Sequence, residues 1–398
     1  MLSILLIFIY IAFISLGLPD AVLGAAWPTM VQSFQVPISY AGIITTFIAM
    51  GTTTSAIFSG KIVHYLGTGK TVWISVFLTA VALFGFSIST KFWHLIVLAI
   101  FYGLGAGSVD TALNHFVALH YKAKHMSWLH ACWGVGATAG PLVMGFLLVS
   151  GGTWPLGYQV IAGFQTILLI ALFFGMPLFK KVATNSTSLN NEQNEEQNKK
   201  EKPYPLRKTI KQKGALHAFF AFFFYCSLES TTGLWVGSFM VLTRQATLED
   251  AAFMTTLYYI GITLGRFLSG VLAIKLSGKK MIRLGELGLI IGVILVLLPL
   301  NNFFTLVGFL IIGVGSAPIF PSLIHETPNH FAPETTASII GLQMAMAYVG
   351  ITTAPLLFGW ISNKFSIALL PIYLLVLTLG ILFCIEMLFI KTRKEEHV

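Results

Sequence analysis

The sequence predicts an all-α membrane protein: twelve transmembrane helices, in two six-helix bundles related by a pseudo-two-fold repeat, with both termini cytoplasmic. Three observations predict it. First, the 398 residues are 56% hydrophobic and only 10% charged, with mean hydropathy +0.82, whereas soluble domains carry about 25% charged residues. Second, apolar stretches of about 20 residues, the length that crosses a bilayer as a helix, recur twelve times along the chain. Third, the second half repeats glycine, proline and acidic positions of the first.

In chain order, the first six spans are expected near 4–26, 38–60, 71–89, 93–119, 128–150 and 156–178. The second six are expected near 215–242, 250–274, 283–300, 303–324, 336–361 and 366–390. Span 1 lacks a basic leader and a small-residue cleavage site and carries Pro19 and Asp20, so it reads as a retained helix rather than a signal. Between the halves, Asn185 to Lys202 is rich in Asn, Gln, Glu and Lys, a composition that cannot bury enough apolar surface to fold. The expected organisation is therefore a bundle over 1–181, a flexible cytoplasmic linker over 182–213 and a second bundle over 214–398.

Orientation follows from loop Lys and Arg, which favour the cytoplasmic side. An inside N-terminus puts 20 of the 24 Lys and Arg in the cytoplasm, with Lys91, Arg244 and Lys364 outside and Arg266 within a span. The +9 net charge then reflects membrane orientation, and no nucleic-acid partner is called for. Cys132, Cys226 and Cys384 are scattered in apolar segments without metal-ligand spacing and read as small hydrophobes. No cofactor or metal is expected.

The internal repeat has an offset near 210 residues. Asp20-x3-Gly24-x2-Trp27 recurs as Glu229-x3-Gly233-x-Trp235, Ser59-Gly60 as Ser269-Gly270, Gly67 as Gly278 and Gly105 as Gly315. Pro141-Leu-Val-Met-Gly145 recurs as Pro355-Leu-Leu-Phe-Gly359. Over nearly its whole length the chain resembles the major facilitator superfamily. The span 2–3 loop from Gly60 to Lys70 keeps that family's glycines and final Lys, with His64 where the family usually carries Asp. Within the superfamily it is most similar to the fucose, glucose and galactose symporter branch. Four segments carry that likeness: Gly103-Leu-Gly105-Ala-Gly107-x2-Asp110-x3-Asn114, Leu129-His130-x2-Trp133-Gly134-x-Gly136-x3-Gly140-Pro141, Gly261-x3-Gly265-Arg266-x3-Gly270 and Gly313-x-Gly315-x-Ala317-Pro318-x2-Pro321. The resemblance implies a secondary transporter whose halves rock about a central polar cavity, with Asp20 and Asp110 sharing proton coupling and substrate binding.

The residues themselves point the same way. An ionisable group at bilayer depth is costly and is a functional candidate by default, which singles out Asp20, Asp110 and Glu229 as proton-coupling candidates, Glu229 being alternatively a binder of substrate hydroxyls. Asp110 and Asn114 are spaced i, i+4 and share a helix face. The alternative for each acid is a structural hydrogen bond or ion pair between helices. Arg266 either closes an inner gate against an acid of the first half or ties span 8 to a neighbouring helix, such as span 9 through Glu286. Glu286 and Glu386, near helix ends, read as snorkelling or paired with Arg283, Lys391 or Arg393. Sugars are bound by aromatic faces with amides and carboxylates, so Asn114, Trp235, Gln343 and Tyr348 are the candidate substrate residues, and His130 and Trp133 join Arg266 as candidate gating residues.

No Gly-x4-Gly-Lys-Ser/Thr loop and no nucleophile-and-base motif occurs, which excludes ATP-driven transport and hydrolase chemistry of those types. The expectation is a monomeric transporter of the cell membrane that imports a neutral sugar or similar small polar solute with protons, sodium being the other candidate ion. Its rival is a proton-coupled exporter of amphiphilic drugs or lipids, favoured by 33 Phe and 12 Met. A transporter-derived sensor that recruits a partner through the linker is a third reading.

Overall fold

The structure, a computed structural model, describes residues 2–121, 123–190, 209–273 and 275–392. Its helices are α1 (Leu2–Asp20), α2 (Val22–Phe34), α3 (Tyr40–Leu66), α4 (Thr68–Ser87), α5 (Phe92–His120), α6 (Ala123–Val149) and α7 (Trp154–Asn190). There follow α8 (Ala215–Arg244), α9 (Leu248–Leu272), α10 (Gly278–Leu297), α11 (Asn302–Ser316), α12 (Ile319–His330), α13 (Pro333–Lys364) and α14 (Leu370–Lys391). No strand occurs among the described residues. Two rods are broken: α1 and α2 part at Ala21, just after Pro19, and α11 and α12 part at Ala317 and Pro318. Proline withholds a backbone donor and interrupts the helical ladder. Joining each broken pair gives the twelve rods that the apolar runs predict.

Eight rods are long and apolar enough to cross a membrane by length and composition alone. The other four, α3, α8, α9 and α10, are 27, 30, 25 and 20 residues long. At 1.5 Å per residue each still reaches the roughly 30 Å of a hydrocarbon core. Helix α7 runs to Asn190, past its expected end and into the expected linker. The middle of that linker, 191–208, lies outside the described residues.

The helices form two compact units, Met1–Glu201 with Thr247–Thr256, and Lys202–Ala246 with Leu257–Val398. In the first, α1 packs on α6, α3 on α5, and α4 on α5 and α7; in the second, α8 packs on α13 and α14, and α10 on α11. Glycine sets how closely these pairs approach. A Cβ added at Gly103 would strike the Ile48 carbonyl, and one at Gly51 would come within 2.7 Å of the Ile100 carbonyl. In the second unit a Cβ at Gly313 would strike the Tyr258 carbonyl and one at Gly261 the Leu310 carbonyl. Every residue of the second set stands 210 positions after its counterpart in the first. The sequence repeat is thus a repeat of backbone contacts.

Candidate functional site

Each unit holds one acid at the position the repeat matches, and each acid has its own surroundings. Asp20 ends α1 near the middle of the 31-residue apolar rod Ile4–Phe34. Its side chain is exposed. The Tyr102 hydroxyl of α5 donates to its Oδ1 at 2.6 Å, and the Trp133 indole N–H of α6 donates to its Oδ2 at 2.8 Å. The second bond depends on the α1–α6 seam, where Cβ atoms at Gly17, Gly136 and Gly140 would strike the carbonyls of Trp133, Ile14 and Leu18. Only glycine lets the two backbones approach closely enough for an indole to reach the carboxylate. The ion pairs among the described residues are Arg266–Glu229 and Arg283–Glu386, so Asp20 is held by neutral donors.

Two turns further along α5 than Tyr102, Asp110 accepts a 3.0 Å bond from the Asn114 amide, as their i, i+4 spacing predicts. Asp110 is half-buried, and it interacts electrostatically with Asp20. The Asn114 Oδ1 is buried without a protein partner. Gly103 and Gly107, two turns and one turn before, hold this helix against Ile48 and Thr52 of α3.

In the second unit Glu229 of α8 pairs with Arg266 of α9 at 3.3 Å, with side chains 20% and 25% exposed. Arg266 thus ties its helix to a neighbouring one, with Glu229 of α8 as the partner. Gly261 faces α11, and Arg266, five residues further along α9, lies on a different face of the helix. The Tyr258 hydroxyl donates to the Glu229 backbone carbonyl at 3.0 Å, and the Tyr225 hydroxyl lies against the Glu229 carboxylate. The result is a charge-balanced pair framed by tyrosines.

The remaining candidates are spread through the structure. Trp235 is fully buried, donates to the Pro355 carbonyl at 3.1 Å and packs on Phe358. That makes it a tie between α8 and α13, with no surface for a sugar in this conformation. Gln343 is 1% exposed and exchanges bonds with Thr327 at 3.2 Å, linking α13 to α12. Tyr348 is half-buried on α13, and its carbonyl accepts from Thr352. His130 is exposed, its ring edge-on to Phe13. Glu386 forms a two-bond pair with Arg283 at 2.8 Å, but Glu286 does not snorkel: it is 4% exposed with Oε1 unpartnered. Sequence reasoning missed Tyr102. Its one signal is a tyrosine inside an apolar run immediately before the Gly103 motif, and nothing in that pattern says the hydroxyl meets Asp20.

Comparison with known proteins decides the family, since the Major Facilitator Superfamily profile matches residues 9–244 and again 218–398. The chain belongs to that superfamily. It is a multi-pass membrane transporter of small molecules and not an enzyme. Among its superfamily relatives, the glucose/mannose transporter GlcP of Bacillus subtilis is 25% identical over 370 residues, 91% of this chain and 89% of that one. The cis,cis-muconate transport protein of Acinetobacter baylyi is 23% identical over 382 residues, 92% and 89%. Among solved structures, the xylose transporter XylE from E. coli superposes with a TM-score of 0.72 at 12% identity, covering 95% of this chain and 98% of that one. That likeness shows the superfamily fold.

Proposed function

We propose that this superfamily member moves a neutral sugar or similar small polar solute across the cell membrane by alternating access, driven by protons, with Asp20 as the coupling acid and Asp110 with Asn114 in substrate binding. Residues 1–181 and 214–398 act as the moving halves, with both termini cytoplasmic. The observation that carries the reading is the set of partners of Asp20: a carboxylate at mid-span, exposed, held by a phenol and an indole and by no cation. Neutral donors favour the ionised form without fixing it, so such a group can take up a proton when its surroundings dry. Glu229 instead pairs with a guanidinium at 3.3 Å, which supports reading that acid and Arg266 as a balanced structural or hydroxyl-binding pair. The likeness to a glucose/mannose transporter supports a sugar as cargo.

The muconate relative supports a second reading, an organic anion as cargo. Against it, Arg266 is already neutralised by Glu229 within its own unit. Counterflow of labelled hexoses, deoxyhexoses and a dicarboxylate into proteoliposomes tests both, because exchange needs binding and alternation but no ion gradient. Exchange of a hexose establishes the sugar reading. Exchange of the dicarboxylate alone overturns it in favour of the anion, and exchange of neither overturns both in favour of the amphiphile exporter.

A further inference from the structure

Behind Asp20, inside the first unit, lies a cavity of about 10 Å³ lined by Ser15 of α1, Val76 and Thr79 of α4, Tyr102 of α5 and Gln165 of α7. A volume of that order holds one water molecule, provided the walls offer two or more polar partners. Tyr102 and Gln165 are 3% and 2% exposed. The Gln165 amide Nε2 donates to the Ser15 carbonyl at 2.6 Å. Only a donor can face a carbonyl, so this bond fixes which way the amide points. The Gln165 Oε1 is then a buried acceptor, and it has no protein partner. The Tyr102 hydroxyl has spent its one proton on Asp20, so it offers the cavity only lone pairs. The Thr79 hydroxyl proton is spent on the Val76 carbonyl at 2.9 Å. Apart from the Ser15 hydroxyl and the second Gln165 N–H, the polar side-chain atoms lining the cavity are acceptors, and water brings two donors.

We infer that an ordered water occupies this cavity, donating to Gln165 Oε1 and to the Tyr102 oxygen, and that Gln165 is thereby a positioning residue for Asp20. The four groups form one chain, Gln165 to water to Tyr102 to Asp20. Hydrogen bonds in a chain polarise one another, so the water makes the Tyr102 hydroxyl a stronger donor to the carboxylate. Asp110 of α5 interacts electrostatically with Asp20 and Tyr158 of α7 with Tyr102; Cys132 of α6 faces Tyr10 and His130 of α6 faces Phe13, and none of the four lines the cavity. The water site stands on its own geometry, while its effect on transport rests on Asp20 being the coupling acid.

Two measurements on the full chain test the inference. An experimental map at about 2 Å resolution should show a peak at hydrogen-bonding distance, about 2.7–3.2 Å, from both Gln165 Oε1 and the Tyr102 oxygen. A dry cavity overturns the inference, as does a peak ringed by the shorter contacts of a bound cation. In proteoliposomes, Gln165→Leu should retain maximal uptake while the midpoint of its pH dependence moves up. The shift expected from cooperative strengthening of one bond to a charged group is about 0.3–0.6 pH unit, a two- to fourfold change in proton affinity. The same change made in a Tyr102→Phe background should add nothing, because the water acts only through that hydroxyl. An equal shift in both backgrounds overturns the positioning role. Should Gln165→Leu not fold, the map of the unaltered protein still decides the water. Failure of the coupling reading looks different: Asp20→Asn leaves the pH dependence unchanged while the water peak persists.

Discussion

Asp20 and Glu229 occupy matched places in the two halves, yet the chain treats their charges in opposite ways. The glycine seams set the register: Gly51 matches Gly261, Gly103 matches Gly313 and Gly136 matches Gly350. In that register the two donors to Asp20, Tyr102 and Trp133, correspond to Ile312 and Ala347, which cannot donate from their side chains. The partner of Glu229, Arg266, corresponds to Ala56. One half therefore surrounds its acid with neutral donors, and the other supplies a full positive charge. A shared scaffold fixes where an acid sits, and three side chains set what it meets there.

The comparison breaks most completely at Asp20→Asn. Accumulation driven by a pH gradient should fall to the equilibrium level while counterflow persists, whereas Glu229→Gln should leave the pH dependence in place; uptake assays on the two variants side by side separate them. Next in size is Arg266→Leu, which strands a carboxylate with one-fifth of its side chain exposed. Because breaking such a pair costs more than removing it, stability should drop by about 1–3 kcal/mol, and adding Glu229→Gln should restore most of it, as read from thermal unfolding in detergent. No such rescue exists for Asp20, whose partners are uncharged.

Smaller effects sharpen the comparison. Gly136→Ala forces a methyl onto the Ile14 carbonyl in the first half, and Gly350→Ala forces one to within 2.5 Å of the Phe223 carbonyl in the second. Each should cost about 1–3 kcal/mol by overpacking, and Gly163→Ala, with open space around it, should be close to neutral. Tyr102→Phe removes a neutral donor to a charged acceptor, so the ionised carboxylate loses support and the uptake midpoint should rise by about 1 pH unit. Tyr158→Phe is the control: its hydroxyl is buried without a partner, so stability should change by no more than about 0.5 kcal/mol or improve slightly.

Much of the fold is legible in the sequence because bilayer crossing is a matter of length and apolarity, properties each segment carries alone. The Gly103 and Gly107 pair and the Asp110–Asn114 bond are equally local, since helical spacing decides them. The partners of Asp20 and Arg266 are not local. Tyr102 lies 82 positions from Asp20 and Trp133 lies 113 positions from it, and Arg266 lies 37 from Glu229. Residue type singles out Trp235 and Gln343, and residue type does not say which face of a rod meets a neighbouring helix. Their burial follows from packing against α13 and α12, and only the assembled helices reveal it.

By itself the sequence determined the membrane class, the twelve rods, the repeat and the three acids worth asking about, because each is written in composition or in spacing along one segment. Tertiary structure alone decided that Asp20 is held by a phenol and an indole, that Glu229 pairs with Arg266, and that Gln165, its Oε1 without a protein partner, lines the same small cavity as Tyr102. The physical reason is that a charge inside a helix bundle is governed by the donors and charges within about 4–6 Å of it, and those neighbours come from other helices.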